Sequence, residues 1–154
     1  MGVAGAGKTT VGRSLALRLD AAFIDADDLH SAANVAKMAS GTPLNDADRW
    51  AWLDDVGEVL ASRDRVVVAC SALKLRYRDR IRIHDPNVFF VLLDAPRAVL
   101  TERLEGRISH FMQASLLDSQ RADLETLAAG ERGVVMDATS SAEEVASRGA
   151  FLIG

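Results

Sequence analysis

Apolar positions along the chain switch between helical spacing and short continuous runs, and that switching predicts the elements. Val11, Leu15 and Leu19 recur every four residues, which places them on one face of a helix. The runs "AAFID" (21–25), "RVVVAC" (65–70), "VFFVLLD" (88–94) and "GVVMD" (133–137) are apolar through their middles and too short for helices, so they read as buried strands. Helical stretches lie between them. One spans 31–40 and ends at Gly41, one spans 45–62 behind cap residues, and one spans 71–82. Another spans 96–107 with Pro96 at its start, another 115–128, and a last helix begins at Ser141. Residues 108 to about 118 are polar and less regular. Strands apolar throughout, separated by helices, predict a parallel sheet covered on both faces. The expected fold is a three-layer α/β/α domain over residues 1–154 with right-handed crossovers.

The opening stretch, "MGVAGAGKTT", carries the first chemistry. Gly2 to Thr9 fit G-x-x-x-x-G-K-[ST], the phosphate-binding loop. Gly2, Gly5 and Gly7 let the backbone turn with its N–H groups inward, and Ala6 and Thr10 belong to the same cradle. Lys8 supplies a mobile positive charge for the β- and γ-phosphates, and the Thr9 hydroxyl can ligate Mg2+. The helix that starts here adds the positive end of its dipole.

Other candidates sit where the predicted strands end, since ligands of an open parallel sheet bind outside the carboxyl ends of its strands. In "FIDADDLH" (23–30), Asp25 and Asp27 follow such an end. A phosphoryl transferase needs one carboxylate to orient an acceptor hydroxyl and take its proton, and often another near the metal. Aspartates that merely cap a loop are the competing reading. Lys74 and Arg78 are four apart on one helix face, beside the apolar line Leu73, Tyr77 and Ile81. Their helix starts at a strand's carboxyl end, so Lys74 is a candidate anion or polyol contact, whereas Arg80 and Arg82 read as solvated. Arg49 can also reach inward. Arg103 and Arg107, four apart, lead into the irregular passage, where arginines on a flap can clamp phosphates and a closing flap excludes water. Surface arginines on an amphipathic helix are the alternative there. His110 by itself reads as structural.

Composition narrows the classes. The chain has 154 residues, 49% hydrophobic and 26% charged, values of an ordinary globular domain. No apolar run approaches a membrane span, so no membrane partner is expected. A net charge of −4 argues against a nucleic-acid surface. The exception is the basic cluster "KLRYRDRIR" (74–82), for which a solvated helix face is the simple explanation. The single cysteine, Cys70, points to a reducing, cytoplasmic compartment.

Taken together, "MGVAGAGKTT", "AAFIDADDLH", "NVAKMASGTPLNDADRWAWL", "CSALKLRYRDRIR", "RLEGRISHF" and "LLDSQRADLETL" resemble the gluconokinases, small P-loop kinases related to shikimate kinase. The resemblance follows family order over nearly the whole chain, and "KMASGTPLNDADR" and "CSALKLRYRD" are its most specific parts. It implies transfer of the ATP γ-phosphoryl group to the 6-hydroxyl of D-gluconate, with Mg2+. By position it assigns the phosphates to Gly2, Gly5, Gly7, Lys8 and Thr9, the acceptor hydroxyl to Asp27, and the metal shell to Thr9 and Asp25. Arg49, Lys74 and Arg78 resemble contacts for the sugar acid, with His30 and His110 beside them, and Arg103 and Arg107 match lid arginines in a lid near 107–120. A homodimer is expected. Kinases of another small hydroxy acid such as shikimate, and a non-catalytic nucleotide-binding protein, are the rival readings.

The chain departs from the family pattern at Ser31 and Ala51, where prolines are usual, and at Ile108 and Ser109, where the lid hinge is more polar. The resemblance also implies a central strand running into Gly2. No apolar run in this numbering supplies it, so Met1 reads as an internal methionine and a gap is expected in the sheet.

Overall fold

The computed structural model describes residues 1–105 and 110–154, with the backbone alone for 110–115. Its strands are Ala22–Asp25 (β1), Val66–Ala69 (β2), Phe90–Asp94 (β3) and Gly133–Asp137 (β4). Its helices are Lys8–Leu19 (α1), Ala32–Ala39 (α2), Asp46–Ala61 (α3), Leu75–His84 (α4), Arg97–Glu105 (α5), His110–Asp123 (α6) and Ala142–Ile153 (α7). A 3-10 turn, Ala26–Leu29, follows β1. No helix among the described residues is long and apolar enough to cross a membrane.

Alternation along the strands builds two cores. Val67, Val91 and Val134 pack with Val11, Leu15, Leu93, Met136 and Val145, beneath α1 and α7. Their neighbours Val68 and Phe90 pack with Trp52, Leu53, Val56, Tyr77 and Ile81, beneath α3 and α4. Adjacent strand residues point to opposite faces, so the two clusters are the two helix-covered faces of one layer of strands. This is the expected three-layer α/β/α arrangement.

Among the described residues the strands form two parallel pairs rather than one continuous sheet. Ala22–Asp25 pairs with Val66–Ala69, and Phe90–Asp94 with Gly133–Asp137. Between β2 and β3 runs a slot of about 310 Å³, lined by Val66, Val68, Ala69, Val91 and Leu93 and closed at the sides by α1 and α3 residues such as Leu15 and Val56. Met1 and Gly2 reach its end. The Met1 amine donates to Val91 O at 2.5 Å, Leu93 N donates to Met1 O at 2.9 Å, and Gly2 N donates to Ser71 O at 3.4 Å. The gap expected between the central strands is present in this structure.

Two helix boundaries differ from those the sequence predicts. Residues 71–74 are not helical, because Ala72 is left-handed (φ 40°) and Lys74 extended, so α4 starts at Leu75. The helix predicted over 115–128 instead covers 110–123, and the chain beyond it is irregular.

Arg78 accounts for both changes. Its side chain is fully buried, as is that of Glu131 at 2% exposure. Nε and Nη2 donate to the two Glu131 carboxylate oxygens at 2.7 and 2.8 Å. The remaining N–H groups reach Leu73 O and Glu125 O at 3.1 Å and Thr126 O at 3.0 Å. Those three carbonyls accept from a guanidinium instead of extending a helix, and α4, residues 72–73 and residues 125–131 are drawn together. A buried cation without its partner is costly, so Glu131→Gln should lower unfolding free energy by about 3 kcal/mol in denaturant titration at pH 7. The Arg78 bond holds the Glu131 carboxyl below its ordinary 4.5. Its stabilising effect is therefore present above that value and lost as pH falls through the lowered one, so wild type and Glu131→Gln should converge in stability in acid.

Candidate active site

The phosphate loop is folded by glycines where no other residue fits. Gly2 has φ 142°, and a Cβ there would lie 2.7 Å from Leu93 O. Gly5 has φ 80°, and a Cβ would meet Leu100 O at 2.9 Å, so the loop lies directly on α5. Gly7 caps α1, and Lys8, Thr9 and Thr10 form its first turn. Ala6 is buried, with its N–H bonded to Val3 O at 3.3 Å. Lys8 Nζ donates to Val3 O at 3.1 Å. No acidic side chain stands in the first turn of α1, which leaves the positive helix end to an anionic ligand.

Thr9 and Asp25 meet. The Thr9 hydroxyl donates to Asp25 Oδ2 at 2.9 Å, joining the start of α1 to the end of β1. Asp25 Oδ1 accepts from Asp27 N at 3.3 Å, so the same carboxylate caps the 3-10 turn and orients the exposed Asp27. A hydroxyl and a carboxylate beside a phosphate cradle fit Mg2+, which takes one or two protein oxygens and keeps its other positions for phosphate and water. Among the described residues no cluster of three or more acidic, histidine or cysteine groups forms a separate metal cage.

The turn that carries Asp27 is fastened to α3. Trp52 Nε1 donates to Ala26 O at 2.6 Å, and His30 stacks on Trp52 with ring centroids 4.4 Å apart. His30 Nδ1 is buried and has no hydrogen-bond partner among the described residues. Ser31, the departure from the family pattern, caps α2 by accepting from Asn34 N. α3 has a full capping box between Asn45 and Asp48, which places Arg49 in its first turn.

Around Tyr77 of α4, three cations surround one ring. Arg49 Cζ, Lys74 Nζ and Arg76 Cζ lie 5.7, 5.6 and 5.7 Å from the Tyr77 centroid. The Tyr77 hydroxyl donates to Asp46 Oδ1 at 2.5 Å, and that bond is the main reason the Asp46 carboxyl sits below its usual range. Burial, then Asp46, pushes Tyr77 upward. Lys74 Nζ is 3.0 Å from Asp123 and 3.9 Å from Asp46, and the Asp123 bond raises its pKa. Arg49 donates to Leu44 O at 3.2 Å and has no ion pair among the described residues. Because Gly2 N bonds to Ser71 O, the 71–74 segment carrying Lys74 abuts the phosphate loop.

The remaining candidates are scattered. Arg78, expected to contact the sugar acid, is instead buried in the clasp with Glu131, its five N–H donors already engaged. Arg103 lies on α5, next to the phosphate loop, and donates to Ala138 O at 2.7 Å. Arg107 and the side chain of His110 lie outside the described residues, as does part of the lid expected near 107–120. Cations of the basic cluster have acidic partners, most of them from other elements: Lys74 pairs with Asp123, Arg76 with Asp46, Arg80 with Asp54, and Arg82 with Asp79. Arg80 and Arg82 are thus paired rather than simply solvated. Burial lifts the Cys70 thiol to about 11, which removes it as a nucleophile at neutral pH. Asp46, Trp52, Tyr77 and Asp123 also take part, and local sequence alone does not mark them as site residues. Asp46 and Trp52 flank Arg49 in the specific motif "NDADRWAWL", which was the available signal.

Comparison with known proteins places the chain in a family. Residues 4–148 match the family model described as shikimate kinase. The gluconokinase of Gluconobacter oxydans is 48% identical over 129 residues, 81% of this chain and 72% of that protein. A probable gluconokinase of Schizosaccharomyces pombe is 40% identical over 154 residues, 94% of this chain and 80% of that one. The solved structure of a gluconokinase from Sinorhizobium meliloti superposes with a TM-score of 0.91 at 43% identity, covering 99% of this chain and 88% of that one. The fold and the loop define a P-loop kinase of the shikimate kinase type. Within that class, the chain belongs to the gluconokinase family.

Burial is the main cause that lowers His30 below its ordinary 6.5, with Asp27 acting upward and Arg49 downward. A lowered value means the unfolded chain binds the proton more readily, so this histidine adds stability above 6.5 and loses it in acid. NMR titration should place His30 below 6.5, Asp27→Asn should lower it further, and Arg49→Met should raise it.

Proposed function

We propose that this chain phosphorylates D-gluconate at its 6-hydroxyl with ATP, using Mg2+, as a homodimer in the cytoplasm. The observation that carries the reading is the pairing of two half-sites: a phosphate loop with Thr9 and Asp25, and a cationic pocket of Arg49 and Lys74 around Tyr77. The first suits a nucleoside triphosphate, and the second suits an acid bearing hydroxyls. The names of the relatives at 40–48% identity support gluconate as that acid.

In this mechanism Lys8 and the α1 N-terminus hold the β- and γ-phosphates and offset charge as the γ-phosphorus leaves the bridging oxygen. Asp27 accepts the proton of the attacking hydroxyl as its oxygen bonds to phosphorus. Bound Mg2+, held by Thr9 and Asp25, would supply a further positive charge for the phosphate oxygens. Arg49 and Lys74 fix the carboxylate end of the acceptor, with His30 beside the turn that carries Asp27. Arg103, and Arg107 with His110 from the lid, complete the set of contacts that the resemblance supports.

A coupled ADP-release assay against a panel of sugar acids and shikimate tests the reading. Turnover with gluconate should stand well above the rate without acceptor, whereas equal release with every compound, or a preference for shikimate, would overturn it. Asp27→Asn and Lys8→Ala should each lower kcat by about 100-fold or more while keeping the wild-type circular dichroism spectrum.

A further inference from the structure

Three side chains of "SQRADLE" (119–125) end on the two loops that frame the site. Gln120 Oε1 accepts from Ala4 N in the phosphate loop at 2.6 Å. Asp123 holds Lys74 Nζ at 3.0 Å. Glu125 accepts from Leu75 N, the start of α4, at 2.5 Å, while its own N–H donates to Leu73 O at 2.9 Å.

Each contact does something its neighbourhood does not otherwise provide. Ala4 stands between Gly2 and Gly5, both at positive φ, in a part of the loop whose backbone is intrinsically permissive. The Gln120 oxygen fixes the orientation of that peptide from outside the loop. Lys74 lies between two carboxylates, and the shorter Asp123 contact holds Nζ away from Asp46. Gln120 and Asp123 are three apart, so they share one face of α6 and are separated by about 4.5 Å of helix rise. α6 itself is anchored: Leu117 is buried in the core, Asp118 binds Arg97 at 2.9 and 3.0 Å, and Arg121 donates to Ala95 O.

We infer that Gln120 and Asp123 are positioning residues, and that the last turn of α6 is a rigid spacer setting the phosphate loop against Lys74. Neither needs to touch a substrate. Gln120 acts through the Ala4 peptide on the nucleotide half, and Asp123 acts through Lys74 on the acid half. The inference rests on the gluconokinase reading for the identity of the acid.

The test compares Gln120→Met, which keeps the length but removes the accepting oxygen, with Gln120→Glu, which retains an accepting oxygen, and with Asp123→Ala. ATP and gluconate binding are measured separately by calorimetry, alongside KM, kcat and the melting temperature. Loss of one positioned hydrogen bond predicts about tenfold weaker ATP binding in Gln120→Met, with gluconate binding within about twofold of wild type. Asp123→Ala should show the reverse selectivity, and Gln120→Glu should bind ATP better than Gln120→Met does. Equal weakening of both substrates, no weakening of either, or Gln120→Glu no better than Gln120→Met would overturn the inference. If wild type binds ATP but gives no gluconate-dependent turnover, the functional reading fails, and ATP binding by the Gln120 variants still decides the role of Gln120.

Discussion

A buried guanidinium organises this molecule. Arg78 lies in the interior of a helix–strand layer, where an unmatched cation would be untenable, and so the surrounding chain is arranged to supply acceptors for its N–H groups. Glu131 provides the countercharge in a two-pronged bond, and carbonyls from residues 72–73 and 125–126 supply the rest. Meeting that demand bends the chain at Ala72, delays α4 to Leu75 and keeps residues 124–128 out of helix. The site inherits its shape from those constraints, because Lys74 sits at the bend and Asp123 at the point where α6 stops.

The other cations of this region differ in how far they are paired. Arg80 and Arg82 are paired with acids on neighbouring or the same helix, so they hold elements together. Around Tyr77 the balance differs: Arg49, Lys74 and Arg76 converge while Asp46 and Asp123 only partly offset them. Arg49, with no ion pair among the described residues, leaves this cluster with residual positive charge. The phosphate loop across from it depends on backbone conformation and a helix end instead, and Asp25 links the two chemistries by binding Thr9 and orienting Asp27.

Much of this was legible in the chain itself. The four apolar runs are the four strands to within a few residues, the cap residues at Asn45 form a capping box, and the last helix does begin behind Ser141. Thr9, Asp25 and Asp27 are brought together as their motifs imply. Arg78 is the instructive miss. It shares a helix face with Lys74 at a spacing of four, and nothing local separates a residue that caps the helix at the surface from one that turns into the core a turn later. The countercharge that decides the matter, Glu131, is 53 positions away.

The sequence by itself determined what depends on neighbours along the chain: strand and helix periods, caps, the glycine-permitted phosphate loop and the order of the motifs. Those are set by backbone sterics and by hydrogen bonds within a few residues, which any local window contains. Only the tertiary structure decided which cations are buried, which are paired with acids and which gather around Tyr77. It also decided which two strands flank the expected gap, and that Gln120 and Asp123 reach the two halves of the site. These depend on desolvation and on partners tens of residues away, and burial has no signature in the identity of an arginine or a glutamine alone.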